Sequence, residues 1–249
     1  MHLLVDGDIV VYRAAFGVEK AHDFGDGEWA SSADLGDAQE RFSEIVGGLI
    51  SACRKAGEVT VVLTGDTNFR RDLSETYKLQ RSKVRRPILL KPLRKWLIEG
   101  SSKHRVKVVE GLEADDVLGI MATLDPNTIV ASLDKDLLQI PGRHIDIVSL
   151  KKSVVTLEQG DRLHMRQTLT GDVTDNYPGC PGVGPKSADK LLDEAKAHPW
   201  PDIVKAYAKK GLTEDDALLQ ARLARILRAE DYDFKNKQVR LWLPPKGER

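Results

Sequence analysis

Short apolar runs of strand length alternate along the first half of the chain with stretches whose apolar residues recur at helical spacing. Leu3–Val5, Val59–Leu63, Val106–Val109 and Thr128–Leu133 are the runs. Asp37 opens a predicted helix with Glu40 at the capping-box position. Its apolar face is Phe42, Ile45, Val46, Leu49, Ile50 and Cys53, and Gly57 ends it. Strand, helix, strand predicts parallel pairing. A second helix fits Ala114–Leu124, stopped by Asp125-Pro126-Asn127. Thr128–Leu133 is continuously apolar, as expected for a strand covered on both faces. Ile145–Leu157 reads as β-rich, a hairpin at the sheet edge, and residues 17–36 as an irregular loop. After about residue 158 the pattern turns helical: Arg162–Thr170, Pro185–Ala195, Trp200–Lys209 and Glu214–Ala229. A short strand over Val239–Leu243 closes the chain. The expected architecture is an α/β core over 1–157, with a helical region over 158–249 packed onto it as one unit.

Composition narrows the class only slightly. With 41% hydrophobic and 31% charged residues among 249, the chain reads as an ordinary globular protein. No apolar run approaches the roughly 18 residues of a membrane helix. The start, Met1-His2-Leu3-Leu4-Val5-Asp6, lacks a secretory leader. Cys53 and Cys180 stand alone, and the six histidines show no zinc-ligand spacing. A cytoplasmic protein is expected. The net charge of zero hides an uneven distribution. Residues 70–105 hold twelve Lys or Arg against Asp72, Glu75 and Glu99. Alone, such a block is a solvated helix face more often than a phosphate track.

What changes the picture is where the strands end. The four runs lead to Asp6; to Asp66; to Glu113, Asp115 and Asp116; and to Asp134 and Asp136. Asp172 and Asp175 follow later, and Asp8 lies beside the first strand end. Open α/β sheets bind ligands outside the carboxyl ends of their strands. Two like charges about 4 Å apart repel by roughly 4 kcal/mol at an effective dielectric near 20. A cluster of this kind takes up protons or binds cations, and hard oxygen donors suit Mg²⁺ or Mn²⁺. Each acidic pair alone is an ordinary polar loop or first helical turn. The case rests on four strand ends doing the same thing.

Asp172 and Asp175 precede Pro178-Gly179-Cys180-Pro181-Gly182-Val183-Gly184-Pro185-Lys186-Ser187. Gly179 and Gly184 have P-loop spacing, but Pro185 intrudes where the lysine belongs and no strand precedes, so a nucleotide loop is rejected. The better reading is a helix–turn–helix. Gly182 and Gly184 let a phosphate approach exposed N–H groups, and Lys186 and Lys190 reach the same backbone. Lys78 and Arg81 share a face of a possible helix and could meet a phosphate near metal ions, and Tyr77 could stack on a base.

Val5-Asp6-Gly7, Gly65-Asp66, Tyr77-Lys78-x-x-Arg81, Glu113-Ala114-Asp115-Asp116, Asp134-Lys135-Asp136, Gly171-Asp172-x-x-Asp175 and Pro181–Lys186 occur in the order found in flap-endonuclease-family 5′→3′ nucleases. The chain resembles that family over about residues 1–195. Its tail, Ala224–Arg228 through Leu241-Trp242, resembles the stand-alone exonucleases of short-tailed bacteriophages. The resemblance implies a PIN-like, twisted, mostly parallel sheet with helices on both faces. It implies a basic helical arch (about 68–105) and a helix–three-turn–helix (about 162–195). It also implies two Mg²⁺ or Mn²⁺ ions. Asp6, Asp66, Glu113, Asp115 and Asp116 would serve the first; Asp134, Asp136, Asp172 and Asp175 the second. Asp8 would be an outer group, and a K⁺ ion would sit at the turn near Gly182 and Gly184. Implied partners are duplex DNA with 5′ ends or flaps and RNA–DNA hybrid, cut by a monomer during DNA replication. Two other readings compete: a PIN-type ribonuclease, which should lack both turn and arch, and a non-catalytic helix-hairpin-helix DNA-binding module, which leaves the acids unexplained.

Overall fold

The computed structural model describes residues 1–54, 56–80, 84–100, 102–195 and 198–245. The elements run β1 (His2–Asp6), α1 (Gly7–Gly17), β2 (Lys20–Asp23), β3 (Trp29–Ser32), α2 (Leu35–Ala52), β4 (Glu58–Thr64), α3 (Arg70–Leu73) and α4 (Leu90–Ile98). They continue with β5 (Arg105–Val109), α5 (Ala114–Leu124), β6 (Thr128–Ser132), β7 (Gly142–Asp146) and β8 (Lys152–Val155). The C-terminal helices are α6 (Leu157–Thr170), α7 (Pro185–Ala195), α8 (Trp200–Ala208) and α9 (Glu214–Ala224).

One sheet has the order β5-β4-β1-β6-β7-β8. Every pairing is parallel except that of β7 with the edge strand β8. Successive side chains point to opposite faces. Leu3, Val5, Val61, Leu63, Ile129 and Ala131 meet α1, α2 and α4 on one face. Leu4, Val62 and Val130 meet α5 and the Ile226-Leu227 segment on the other. This two-sided burial is why the strands read as unbroken apolar runs, each large side chain contributing about 1.5–3 kcal/mol. A separate apolar cluster of Met165, Leu169, Ala188, Leu192, Trp200, Ile203 and Tyr207 knits α6 to α9. Among the described residues, no helix is long and apolar enough to cross a membrane.

Several boundaries differ from expectation. Helix α2 starts at Leu35 because Asp34, not Asp37, caps it, accepting the Asp37 N–H at 3.1 Å. Residues 17–36 form an exposed hairpin of β2 and β3, which turns through positive φ at Gly25 and Gly27. Helix α4 lies inside the basic segment, yet its Leu93 and Leu97 are fully buried in the core. Arg94 on it donates to Asp8 at 2.9 Å, and Asp8 also accepts the Thr64 N–H at 3.0 Å. That stretch therefore belongs to the body of the protein, and Asp8 is a tether between helix and strand. Helix α9 ends at Ala224, five residues early, and the closing strand shrinks to Gln238–Val239, paired with Tyr232–Asp233.

Two glycines shape the turn after α6. Gly171 and Gly179 both have φ of +64°, and a Cβ on Gly179 would lie 2.2 Å from the Gly171 nitrogen. No side chain fits between them, so the loop carrying Asp172 and Asp175 closes at a fixed point.

Candidate metal centre and nucleic-acid interface

Asp6 ends β1 and also caps α1, accepting the Ile9 N–H at 3.2 Å. Its other oxygen accepts the Ser132 hydroxyl at 2.6 Å. The same Ser132 oxygen accepts the Asp134 N–H at 2.9 Å, and Asp134 in turn accepts the Asp136 N–H at 2.8 Å. Across the opening, Asp172 accepts the N–H groups of Thr174 and Asp175 at 2.6 and 3.0 Å. Asp115 sits in the first turn of α5. An open groove of about 1230 Å³ runs past Asp134, Asp136, Asp172 and Asp175.

Burial, and after it the neighbouring carboxylates, favours the protonated form of Asp6, Asp115 and Asp136. Burial raises Asp6 to about 7, with Asp8 and Asp134 adding to it. Burial, then Asp6 and Asp134, push Asp115 well above the usual range. Burial, then Asp134, Asp172 and Asp175, raise Asp136 to about 6. The repulsions thus define two groups, Asp6–Asp115–Asp134 and Asp134–Asp136–Asp172–Asp175, with Asp134 in both. An all-oxygen donor set in which carboxylates outnumber nearby cations fits hard divalent cations. Among the described residues, no three such side chains converge closely enough to hold an ion.

One wall of the site is cationic. The Lys78 ammonium bridges Glu113, in a close contact, and Asp175 at 3.3 Å. Lys78 has a φ of +55°, and its N–H donates to the Asp175 carbonyl at 2.9 Å. Burial opposes ionisation of Glu113, but Lys78 and Arg70 outweigh it and hold the carboxyl at about 2.

Three expected site residues lie elsewhere. Asp116 is fully buried, with both oxygens occupied by the Arg70 fork at 2.7 and 2.8 Å and by the Leu227 and Glu113 N–H groups. It is a structural anchor with no oxygen left for an ion. Asp66 is exposed past β4, and its carboxylate has no partner among the described residues. Tyr77 is 3% exposed, so it cannot stack on a base. Its hydroxyl instead contacts Glu113 at 3.0 Å and Asp175 at 3.1 Å. Arg81 lies outside the described residues.

The Gly-rich turn stands on an exposed edge. Gly182 has a φ of +76°, and nothing lies within 4 Å of a Cβ placed on Gly184. Lys186 and Lys190 are exposed on α7, whose first turn leaves N–H groups without helical partners. Lys210 brings its ammonium to 3.4 Å from the Cβ position of Gly182, adding a cation from the α8–α9 turn.

A parallel nuclease-type sheet, an acidic cluster at its carboxyl ends and a basic turn now stand together. The family model for the 5′–3′ exonuclease N-terminal resolvase-like domain matches residues 1–167. The chain belongs to the 5′–3′ exonuclease family. The exonuclease of Escherichia phage T7 is 26% identical, covering 97% of this chain and 93% of its own length. The bacteriophage T5 5′-exonuclease with bound zinc shares the fold at a TM-score of 0.64 and 15% identity, covering 90% of this chain and 89% of that one. The T5 flap endonuclease in complex with DNA and metal ions superposes with a TM-score of 0.63, at 15% identity and 90% and 88% coverage. Membership sets aside the PIN-type ribonuclease and the non-catalytic module.

Family motifs did not point to Ser132, Arg70 or Lys210. Ser132 is a lone hydroxyl at a strand end, and nothing in its neighbours marks it as the link between Asp6 and Asp134. Arg70 is the first member of a long basic run, whose spacing gives no sign that this one cation is buried.

Proposed function

We propose that the chain is a divalent-metal-dependent 5′→3′ exonuclease and flap endonuclease, hydrolysing phosphodiesters at 5′ ends of DNA and in RNA–DNA hybrid. The observation that carries this reading is Asp134, which the Ser132 hydroxyl links to Asp6 and which accepts the Asp136 N–H, so that it stands between both carboxylate groups. Asp6 and Asp115 with Asp134 would hold one ion, with Glu113 at the border; Asp136, Asp172 and Asp175 with Asp134 would hold another. Mg²⁺ is the expected ion, with Mn²⁺ able to replace it. When bound, such ions lower the pKa of water and stabilise the attacking and leaving oxygens. No Ser–His or Cys–His pair serves as a nucleophile in this reading.

The chain's own groups bind and orient. Lys78 stands between Glu113 and Asp175, one at each side of the site. Once those carboxylates face cations, its ammonium would turn to donate to a non-bridging phosphate oxygen. Arg81 is proposed to do the same. The turn at Gly182 and Gly184, with Lys186, Lys190 and Lys210, grips the duplex backbone without reading bases. A K⁺ ion at the turn carbonyls would reinforce that grip. The chain is proposed to act as a monomer.

Two predictions arise here. Lys78→Ala should lower kcat by about 10²-fold. Its duplex affinity in EDTA, read by anisotropy, should stay within about twofold, well under 1 kcal/mol. Gly184→Val should weaken duplex affinity about tenfold, or about 1.4 kcal/mol, while leaving Mn²⁺ binding unchanged. The activity itself is tested with 5′- and 3′-labelled duplex, flap and RNA–DNA hybrid in Mg²⁺, Mn²⁺ and EDTA. Short 5′-labelled products that vanish in EDTA are expected. Loss of nucleotides from the 3′ end would refute the direction.

A further inference from the structure

Directly after α9, residues 225–228 run extended through the interior and join no sheet. Side chains of the core bond its backbone instead. Arg70 Nε donates to the Leu223 carbonyl at 3.0 Å, and Arg70 Nη2 donates to the Arg225 carbonyl in a close contact. Gln139 Nε2 donates to the Ala224 carbonyl at 2.7 Å, and Gln139 Oε1 accepts the Ile226 N–H at 3.1 Å. The Leu227 N–H goes to Asp116 at 3.1 Å.

Gln139 is fully buried, and these bonds decide which way its amide points. Its oxygen must face the Ile226 N–H, so its NH₂ must face the other way. There it donates to Gln167 Oε1 at 2.6 Å. That acceptance fixes Gln167 in turn, because its oxygen faces Gln139 and its NH₂ is left for Asp136. Gln167 Nε2 donates to Asp136 Oδ1 at 2.7 Å. A flip of either amide would set like groups against each other, so the chain of bonds has one direction. It begins at the backbone of residues 224–226 and ends on one oxygen of one carboxylate.

We propose that Gln139 and Gln167 are positioning residues for Asp136. Their relay turns Oδ1 inward and presents Oδ2 to the groove, where it would ligate a divalent ion. The relay makes the segment after α9 part of the site without touching substrate. It also resists the repulsion from Asp134, Asp172 and Asp175 that would otherwise rotate Asp136 away. Partners that orient a metal ligand in this way are typically worth about 10–100-fold in affinity. The inference rests on reading Asp136 as a metal ligand.

The test is calorimetric titration of the full chain with Mn²⁺ without DNA, for wild type, Gln167→Met, Gln167→Asn and Asp136→Ala. Gln167→Met removes both bonds. Gln167→Asn keeps a polar partner for Gln139 but falls short of Asp136, and so perturbs packing less. Both should weaken one Mn²⁺ site by about 10–100-fold. Duplex affinity in EDTA should stay at the wild-type value, and kcat should fall with KM for DNA unchanged. If Asp136→Ala weakens the site while both Gln167 variants titrate as wild type, the relay is only packing and the inference fails alone. If Asp136→Ala also titrates as wild type, the metal reading fails and takes the inference with it.

Discussion

Replacing Asp134 with alanine is expected to lower metal-dependent turnover by about 10³-fold, or roughly 4 kcal/mol of transition-state stabilisation. Burial raises Asp6, Asp115 and Asp136, and Asp134 adds to the rise of all three. Removing it takes one ligand from each proposed ion at once. It also relieves repulsion in the metal-free protein, so the thermal midpoint in EDTA should hold or rise. Duplex affinity in EDTA should be unchanged, because the Gly182–Gly184 turn and Lys186, Lys190 and Lys210 are untouched. A dead enzyme that binds DNA and is no less stable separates loss of metal from loss of fold. Full cleavage by this variant would remove Asp134 from the site.

Arg70→Lys is expected to unfold the protein more readily than any exposed substitution in the basic segment, by about 3–5 kcal/mol. The Arg70 guanidinium has five N–H donors, and it makes five bonds: two to Asp116, one to Glu113 and two to the carbonyls of Leu223 and Arg225. Burial disfavours its charge, but Asp116 together with Tyr77 and Glu113 outweighs that and raises Arg70 well above its ordinary value. A lysine has no planar fork and cannot serve both the carboxylate and the two carbonyls. For a chain of this size about 2–4 °C of midpoint accompanies each kcal/mol, so a drop of about 10 °C is expected. Neighbouring Arg71 is exposed, and Arg71→Lys is the control. A midpoint for Arg70→Lys within 1–2 °C of wild type would contradict this account of the anchor.

The parallel sheet was legible because its strands are covered on both faces, which leaves apolar runs such as Ile129–Ala131 and Val61–Leu63. Helices α5 and α7 were legible from their periodic apolar faces and from Pro185 at the first helical position. The acids were legible as a set because they repeat at successive strand ends. What the motifs could not convey is which way a side chain turns inside the fold. Asp115 and Asp116 are neighbours, yet one faces the acidic opening and the other is sealed under Arg70. Tyr77 belongs to a basic motif but points inward, where its hydroxyl meets Glu113 and Asp175. The β2–β3 hairpin escaped notice because every residue in both strands is exposed, so no alternation of burial marks it. Helix α9 stops short of expectation because the core's polar side chains bond the backbone from Leu223 to Leu227 in place of helical bonds.

The central claim is that the carboxylates around Asp134 hold two divalent ions. Its most direct test is the stoichiometry of Mn²⁺ binding to the full chain without DNA, measured for wild type and Asp134→Ala. The expected result is two ions per wild-type chain and loss of tight binding at both sites in the variant. Wild-type stoichiometry and affinity in Asp134→Ala would contradict the claim.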